Sequence, residues 1–277
     1  MSRRPARIVS QSMPAARRRR EAGGPRENRM QTKRVALVTG GMGGLGSAIS
    51  RRLYDAGFAV AVTHSAHNDH VATWLMHERD AGRQFRTYAV DVGDFSACER
   101  CAEQVLKDFG QVDVLINNAG ITRDVTFAKM TKGDWDTVLR TDLDALFNMT
   151  KPFIAGMVER QFGRVINIGS VNGSRGAFGQ TNYAAAKAGL HGFTKALALE
   201  TARHGVTVNT VSPGYLATAM VESVPRDVLE QRILPQIPVG RLGRPEEIAS
   251  FIAYLCSDDA GFMTGADVAL NGGMHMR

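Results

Sequence analysis

From residue 34 onward, short runs of β-branched and aliphatic residues alternate with longer stretches in which apolar positions recur every three or four residues. RVALVTG (34–40) is almost continuously apolar, and GLGSAISRRLYDAG (44–57) then places Leu45, Ile49 and Leu53 at helical spacing. A second strand, FAVAVTH (58–64), follows. The alternation predicts a helix near 68–81, a strand over 85–92, a helix over 95–109, a strand over 112–120 and a long helix within 131–160. Farther on it predicts a strand over 163–170, a helix over 181–204, a strand over 206–214, helices near 224–234 and 245–257, and a last strand over 266–273. Strands apolar on both flanks and separated by helices belong to a parallel sheet covered on both faces, and right-handed crossovers make it doubly wound. The expectation is an α/β domain over residues 34–277 with a seven-stranded parallel sheet, since no linker-like composition or repeat divides that span.

Composition narrows the class. The chain has 277 residues, 44% of them hydrophobic, enough for a packed core. No apolar run approaches the roughly 18–20 residues that cross a bilayer, and the arginines after Met1 lead into no apolar signal region. A cytoplasmic protein with no membrane partner is expected. The formal charge of +7 is unevenly placed: residues 1–33 hold ten Lys/Arg against two Asp/Glu, leaving 24 against 25 for the rest. The folded body is therefore nearly neutral, which argues against nucleic acid as a partner. The segment 1–33, rich in Arg, Pro and Gly, buries too little apolar surface to order itself and is expected to be a disordered basic extension. It reads as a polyanion-binding arm, a targeting peptide, or an upstream start with Met30 opening the working chain, the last being the expectation. Cys98 and Cys101, in CERC, fall in an amphipathic helical pattern and read as packing rather than redox chemistry.

Three stretches carry chemistry. TGGMGGLG (39–46) follows the first strand and opens the first helix. There Gly40, Gly44 and Gly46 permit a tight turn and close backbone approach, and the helix start offers free N–H groups to a pyrophosphate. Gly41, Met42 and Leu45 belong to the same dinucleotide-binding turn. The second strand ends in Thr63, His64 and Ser65, where an acid would bind an adenosine ribose and repel a 2′-phosphate; its absence argues for NADPH/NADP+ over NADH. His64, His67, His70 and His77 suggest a metal, but no Cys or Glu completes a set, so none is expected, and His64 or Ser65 instead fits the cofactor phosphate. In TNYAAAK (181–187), Tyr183 and Lys187 stand four apart and share a helix face. A nearby ammonium favours ionisation of a phenol, so such a pair suits a tyrosine that donates a proton. Ser170, at the end of its predicted strand, can hydrogen-bond a substrate oxygen that gains charge during reduction.

TGGMGGLG, Asp91-Val92, NNAG (117–120), Ser170, YAAAK and SPG (212–214) occur in the order of the short-chain dehydrogenase/reductase family, and the chain resembles that family across residues 34–277. The resemblance implies a Rossmann fold and a Ser170, Tyr183 and Lys187 catalytic set. It implies Asp91 and Val92 near the adenine and Asn117, Asn118, Ala119 and Gly120 along the cofactor. It also implies Pro213, Gly214 and Thr218 near the nicotinamide, with Tyr183 and Lys187 touching it as well. One position departs: the family's usual active-site Asn corresponds here to Asp142, and an ionised carboxylate only accepts hydrogen bonds where Asn also donates. Asp142 is kept as a candidate in the proton relay. Further matching stretches, including INNAGITRDVTFAKMTKGDWD and SVNGSRGAFGQTNY, imply an acyl-CoA substrate, acetoacetyl-CoA reduced with NADPH. Asp124, Phe178, Gln180 and Tyr215 would border it; Ala177 replaces a more usual glutamine. The rival readings are reduction of an acyl-carrier-protein thioester and, from another class, a non-catalytic nucleotide-sensing or nucleic-acid-binding protein. The resemblance also implies a homotetramer, and the helices within 131–160 and 181–204, apolar on more than one face, suit burial against another subunit.

Overall fold

The computed structural model describes residues 33–218, 221 and 225–276, so the basic extension, apart from Lys33, lies outside the described residues. Seven strands form one sheet: β1 (Val35–Val38), β2 (Ala59–His64), β3 (Arg86–Ala89), β4 (Val114–Asn117), β5 (Gly163–Ile168), β6 (Val206–Pro213) and β7 (Asp267–Leu270). Every pairing is parallel, in the order β3-β2-β1-β4-β5-β6-β7. The helices are α1 (Gly44–Asp55), α2 (Val71–Asp80), α3 (Phe95–Phe109), α4 (Lys132–Leu139), α5 (Ala145–Glu159), α6 (Val171–Arg175), α7 (Thr181–Thr201) and α8 (Pro245–Leu255).

Alternate residues of the inner strands serve two cores. Val35 and Leu37 of β1 pack with Cys98 and Val105 of α3 and Met149 and Phe153 of α5. Ala36 and Val38 pack with Ile49 and Leu53 of α1 and Ile248 and Ile252 of α8. Burial on both faces is why the strands lack polar alternation. Cys98 and Cys101 are buried and free in the first core, and burial pushes the Cys98 thiol up to about 12. Because β1 lies between β2 and β4, the chain direction across the sheet reverses there, and the carboxyl ends of β1 and β4 open into a crevice.

The end of the sheet where β5 begins is fixed by a buried guanidinium. Arg164 donates to the carbonyls of Gly163 (2.8 Å), Gly205 (3.1 Å) and Ser257 (3.2 Å). It lies 4.4 Å from the Phe162 ring centroid, and Arg34, paired with Asp258, lies 3.8 Å from the same centroid.

The structure departs from the expected elements in four places. The long helix within 131–160 is interrupted at Arg140–Asp144 by a π-helical turn, whose extra residue lets Asp142 turn inward. The expected strands overrun the ladder at Thr39–Gly40, Asn118–Gly120 and Gly169–Ser170, where glycines and side-chain bonds lead the chain into the crevice. The short helix α6 was not expected. The helix near 224–234 is described as one turn at Arg226–Val228, a wider winding at Leu229–Ile233 and a tighter one at Leu234–Gln236, where Pro235 offers no N–H.

Truncating Ile252, fully buried between α8 and α1, leaves a cavity in the second core. Ile252→Ala is expected to lower unfolding free energy by about 2–5 kcal/mol in urea titration, with the fold retained. A loss under about 1 kcal/mol would contradict the packing described.

Candidate active site

The glycine turn is shaped by what surrounds it. Gly40 has φ +60°, and a Cβ on Gly46 would collide with the Gly40 carbonyl oxygen. A Cβ on Gly41 would stand 2.7 Å from Val62. α1 starts at Gly44 with no side-chain cap and no acid in its first turn, so its first amides stay open to an anion. Those features fit a dinucleotide pyrophosphate. Thr218 lies against Gly44, where a Cβ would approach it to 3.0 Å, so the segment after β6 reaches the glycine turn.

Thr39 ties the turn to the next strand. Its Oγ accepts from the amides of Asn118 and Ala119 (both 2.9 Å), while Asn118 Nδ2 donates to the Thr39 and Gly40 carbonyls (2.9 and 3.2 Å). Asn117 faces elsewhere: its Nδ2 donates to Asn167 Oδ1 (2.8 Å) and Thr150 Oγ (3.2 Å), bracing β4 against β5 and α5. The NNAG pattern did not distinguish the two asparagines, and Thr39 was passed over as the lead-in to the glycines. On the other side, Thr63 Oγ accepts from the Gly40 amide (3.3 Å), which puts His64 and Ser65 directly beyond the turn. His64 Nδ1 lies 2.9 Å from the Ser65 carbonyl. Asn68 reaches back to Met42 Sδ (3.8 Å). Among the described residues, no group of three or more His, Cys, Asp or Glu is placed to hold a metal. Asp91 accepts from the Gly93 amide (2.9 Å), and the Val92 carbonyl accepts from Asn148 (2.9 Å), fixing the segment implied for adenine. Gly214 donates to the Leu270 carbonyl (3.1 Å), securing the bend after Pro213.

Tyr183 and Lys187 lie in the first turns of α7. Lys187 is buried; its Nζ donates to the Ile168 carbonyl (3.0 Å), stands 3.2 Å from Asp142 Oδ2, and lies 5.5 Å from the Tyr183 ring centroid. Asp142 Oδ1 accepts from the Ile121 amide (2.8 Å). Gly120 passes so close that a Cβ would meet Asp142 at 2.8 Å and Lys187 at 3.3 Å. Ser170 caps α6, its Oγ accepting from the Asn172 amide (3.2 Å). Gly173 brings α6 onto α7, since a Cβ there would come within 2.8 Å of Lys187. Thus one glycine packs α6, which Ser170 caps, against Lys187, and another brings the loop after β4 onto Asp142 and Lys187.

Burial works against the Lys187 ammonium, but the Asp142 carboxylate, with a smaller contribution from Tyr183, holds its pKa above the ordinary lysine value. Burial raises the Asp142 carboxyl, opposed by Lys187 and the Ile121 amide. The lysine direction gives the sign: the folded state favours the ammonium, so the pair stabilises below lysine's ordinary pKa, and that contribution fades as pH rises through the raised value.

Of the residues implied for substrate, Gln180 Nε2 donates to Asp124 Oδ2 (2.7 Å), and Val125 and Gly179 are joined by a backbone bond (2.8 Å). Phe178 projects into solvent, 93% exposed. Tyr215 lines a cavity of about 300 Å³ with Ile237, Val239, Arg241, Leu270 and Asn271.

Residues 34–229 match the family model described as short chain dehydrogenase. The chain is 55% identical over 245 residues to an acetoacetyl-CoA reductase of Cupriavidus necator, covering 88% of this chain and 99% of that protein. An acetoacetyl-CoA reductase of Shinella zoogloeoides is 50% identical over 240 residues, 87% of this chain and 98% of the relative. A 3-oxoacyl-[acyl-carrier-protein] reductase of Haemophilus influenzae is 42% identical over 248 residues, 89% of this chain and all of the relative.

Replacing Asp142 by Asn removes the charge that offsets burial of Lys187. Asp142→Asn is expected to move the alkaline limb of the kcat/KM–pH profile to lower pH, because the ammonium is then lost sooner. An unchanged profile would remove Asp142 from the proton chemistry.

Proposed function

The chain belongs to the short-chain dehydrogenase family, and we propose that it reduces acetoacetyl-CoA to (R)-3-hydroxybutyryl-CoA with NADPH. The observation that carries this reading is the Lys187 ammonium fixed one helical turn from Tyr183, with α6, which Ser170 caps, packed onto the same lysine at Gly173. Relatives named for this reaction match the chain over nearly their whole length.

The residues suit the nicotinamide cofactor. The turn Gly40–Gly46 and the start of α1 would hold the pyrophosphate, Asp91 and Val92 the adenine, and Asn118, Ala119 and Gly120 the middle. Pro213, Gly214 and Thr218 would hold the nicotinamide end, and Lys187 the adjoining ribose. No acid stands at the end of β2, where His64 and Ser65 follow Thr63, which supports NADPH. When bound, the cofactor supplies the hydride that adds to the carbonyl carbon.

The chain handles the oxygen. Ser170 Oγ accepts a bond from the Asn172 amide, which leaves its O–H available to donate to the substrate oxygen. Tyr183 transfers its phenolic proton to that oxygen as the carbonyl π pair moves onto it, giving the alcohol and leaving a phenolate. The Lys187 ammonium stabilises that phenolate, and the Asp142 and Ile168 acceptors hold the ammonium in place. Asp142 takes the place of a neutral amide in the relay, keeping Lys187 charged while the tyrosine is reprotonated.

The same reading makes the protein a cytoplasmic homotetramer that supplies monomer for polyhydroxybutyrate. No helix among the described residues is long and apolar enough to cross a membrane. Phe147 on α5 and Leu199 on α7 expose apolar surface that a second subunit would cover.

Initial rates on acetoacetyl-CoA with NADPH are expected to exceed those with NADH, with an R-configured alcohol as product. Faster turnover of an acetoacetyl-acyl-carrier-protein thioester would move the assignment to fatty-acid synthesis. Tyr183→Phe is expected to lower kcat by about 10²–10⁴-fold with little change in the affinity for NADPH; parental rates would defeat the mechanism.

A further inference from the structure

The helix α6, capped by Ser170, ends at Arg175, and a chain of oriented hydrogen bonds fixes that arginine. Asp124 Oδ2 accepts from Gln180 Nε2 (2.7 Å), Gln180 Oε1 accepts from Asn172 Nδ2 (2.9 Å), and Asn172 Oδ1 accepts from Arg175 Nε (3.2 Å). A carboxylate only accepts and a guanidinium only donates, so the two amides between them have one orientation that satisfies both ends. Arg175 Nη1 also donates to Gln236 Oε1 (3.2 Å), on the segment that follows β6. The arginine thus stands where three loops converge: the one after β4, the one after α6, and the one carrying Gln236.

Both acceptors of Arg175 are neutral amide oxygens. Other arginines of this surface are neutralised by acids: Arg241 by Glu247 at 2.7 Å, Arg226 by Glu230 at 2.8 Å. Among the described residues, the Nη2 group of Arg175 makes no hydrogen bond and no acid pairs with the guanidinium, which leaves an N–H edge open. Phe178, three residues on in the sequence, lays an aromatic ring open to solvent. α6 spans five residues, a rise of about 7–8 Å, so Arg175 stands at the opposite end of the helix from the Ser170 cap. A remote charged anchor can hold a substrate whose reacting carbonyl sits at the far end of a long arm.

We infer that Arg175 is a specificity-determining residue that binds a phosphate group on the tail of the thioester substrate. The inference rests on the CoA-thioester reading above. Phosphate on that tail could be the pyrophosphate of CoA, its 3′-phosphate, or the single phosphate of a carrier-protein arm. Guanidinium recognition is the shared chemistry.

The test compares KM for acetoacetyl-CoA, acetoacetyl-3′-dephospho-CoA and acetoacetyl-pantetheine in the parent, Arg175→Met and Arg175→Lys. Arg175→Met is expected to raise KM for the CoA thioester about tenfold relative to that for the pantetheine thioester, as loss of one charge-assisted phosphate contact implies. Arg175→Lys should recover most of that difference. The dephospho substrate tells which phosphate is held: it follows the CoA thioester if the pyrophosphate is bound and the pantetheine thioester if the 3′-phosphate is. Equal rises with the CoA and pantetheine thioesters would reduce Arg175 to a latch for Gln236, and no rise with either would also overturn the assignment. Calorimetric binding of free CoA and pantetheine to the same proteins decides the point without turnover. If the parent reduces none of the thioesters, the functional reading fails, while the calorimetric difference still tests the cation.

Discussion

A buried ammonium has to be surrounded by acceptors, and much of the site follows from satisfying Lys187. The Ile168 carbonyl and the Asp142 carboxylate supply them, and each draws another element into place. Asp142 reaches the lysine because the helix between Lys132 and Glu159 widens by one residue at Arg140–Asp144. Its other oxygen receives the Ile121 amide, which fixes the loop after β4. Gly120 approaches the ammonium and Gly173 the backbone of the same lysine, and neither has room for a Cβ. The geometry around Tyr183 is therefore the consequence of housing one charge.

The sheet order gives this cluster its partner site. The reversal between β1 and β4 leaves their carboxyl ends facing an open crevice, and Thr39 joins them by accepting both Asn118 and Ala119 amides. The glycine turn and the Lys187 cluster then meet through the short segment Asn118–Ile121. Backbone amides and carbonyls make most of these connections, so the arrangement depends more on chain path than on any single side chain.

Legibility in the sequence followed locality. The glycine turn and the Tyr183–Lys187 spacing are written within eight residues each, and the β/α alternation shows wherever strands bury both faces. What escaped depended on distant partners. α6 is five residues long, too short for a 3.6-residue period to register. The π-helical turn is a one-residue slip inside a pattern that otherwise reads as continuous helix. Asn117 and Asn118 are adjacent and chemically identical, and only the fold sends one toward Asn167 and the other toward Gly40. The departure at Asp142 was visible from the family resemblance; its bond to Ile121 was not.

Arg164 shows a different way to house a buried cation. Its hydrogen-bond acceptors are main-chain carbonyls, which do not titrate, although burial lowers its own pKa. Acidification that neutralises surface pairs such as Arg86–Asp108 leaves these contacts chemically unchanged. The Arg164 contacts at the base of the open sheet are therefore insulated from proton concentration, while the Lys187–Asp142 pair at the rim is tuned by it. Foundation and workplace respond to different variables, so adjusting one need not loosen the other.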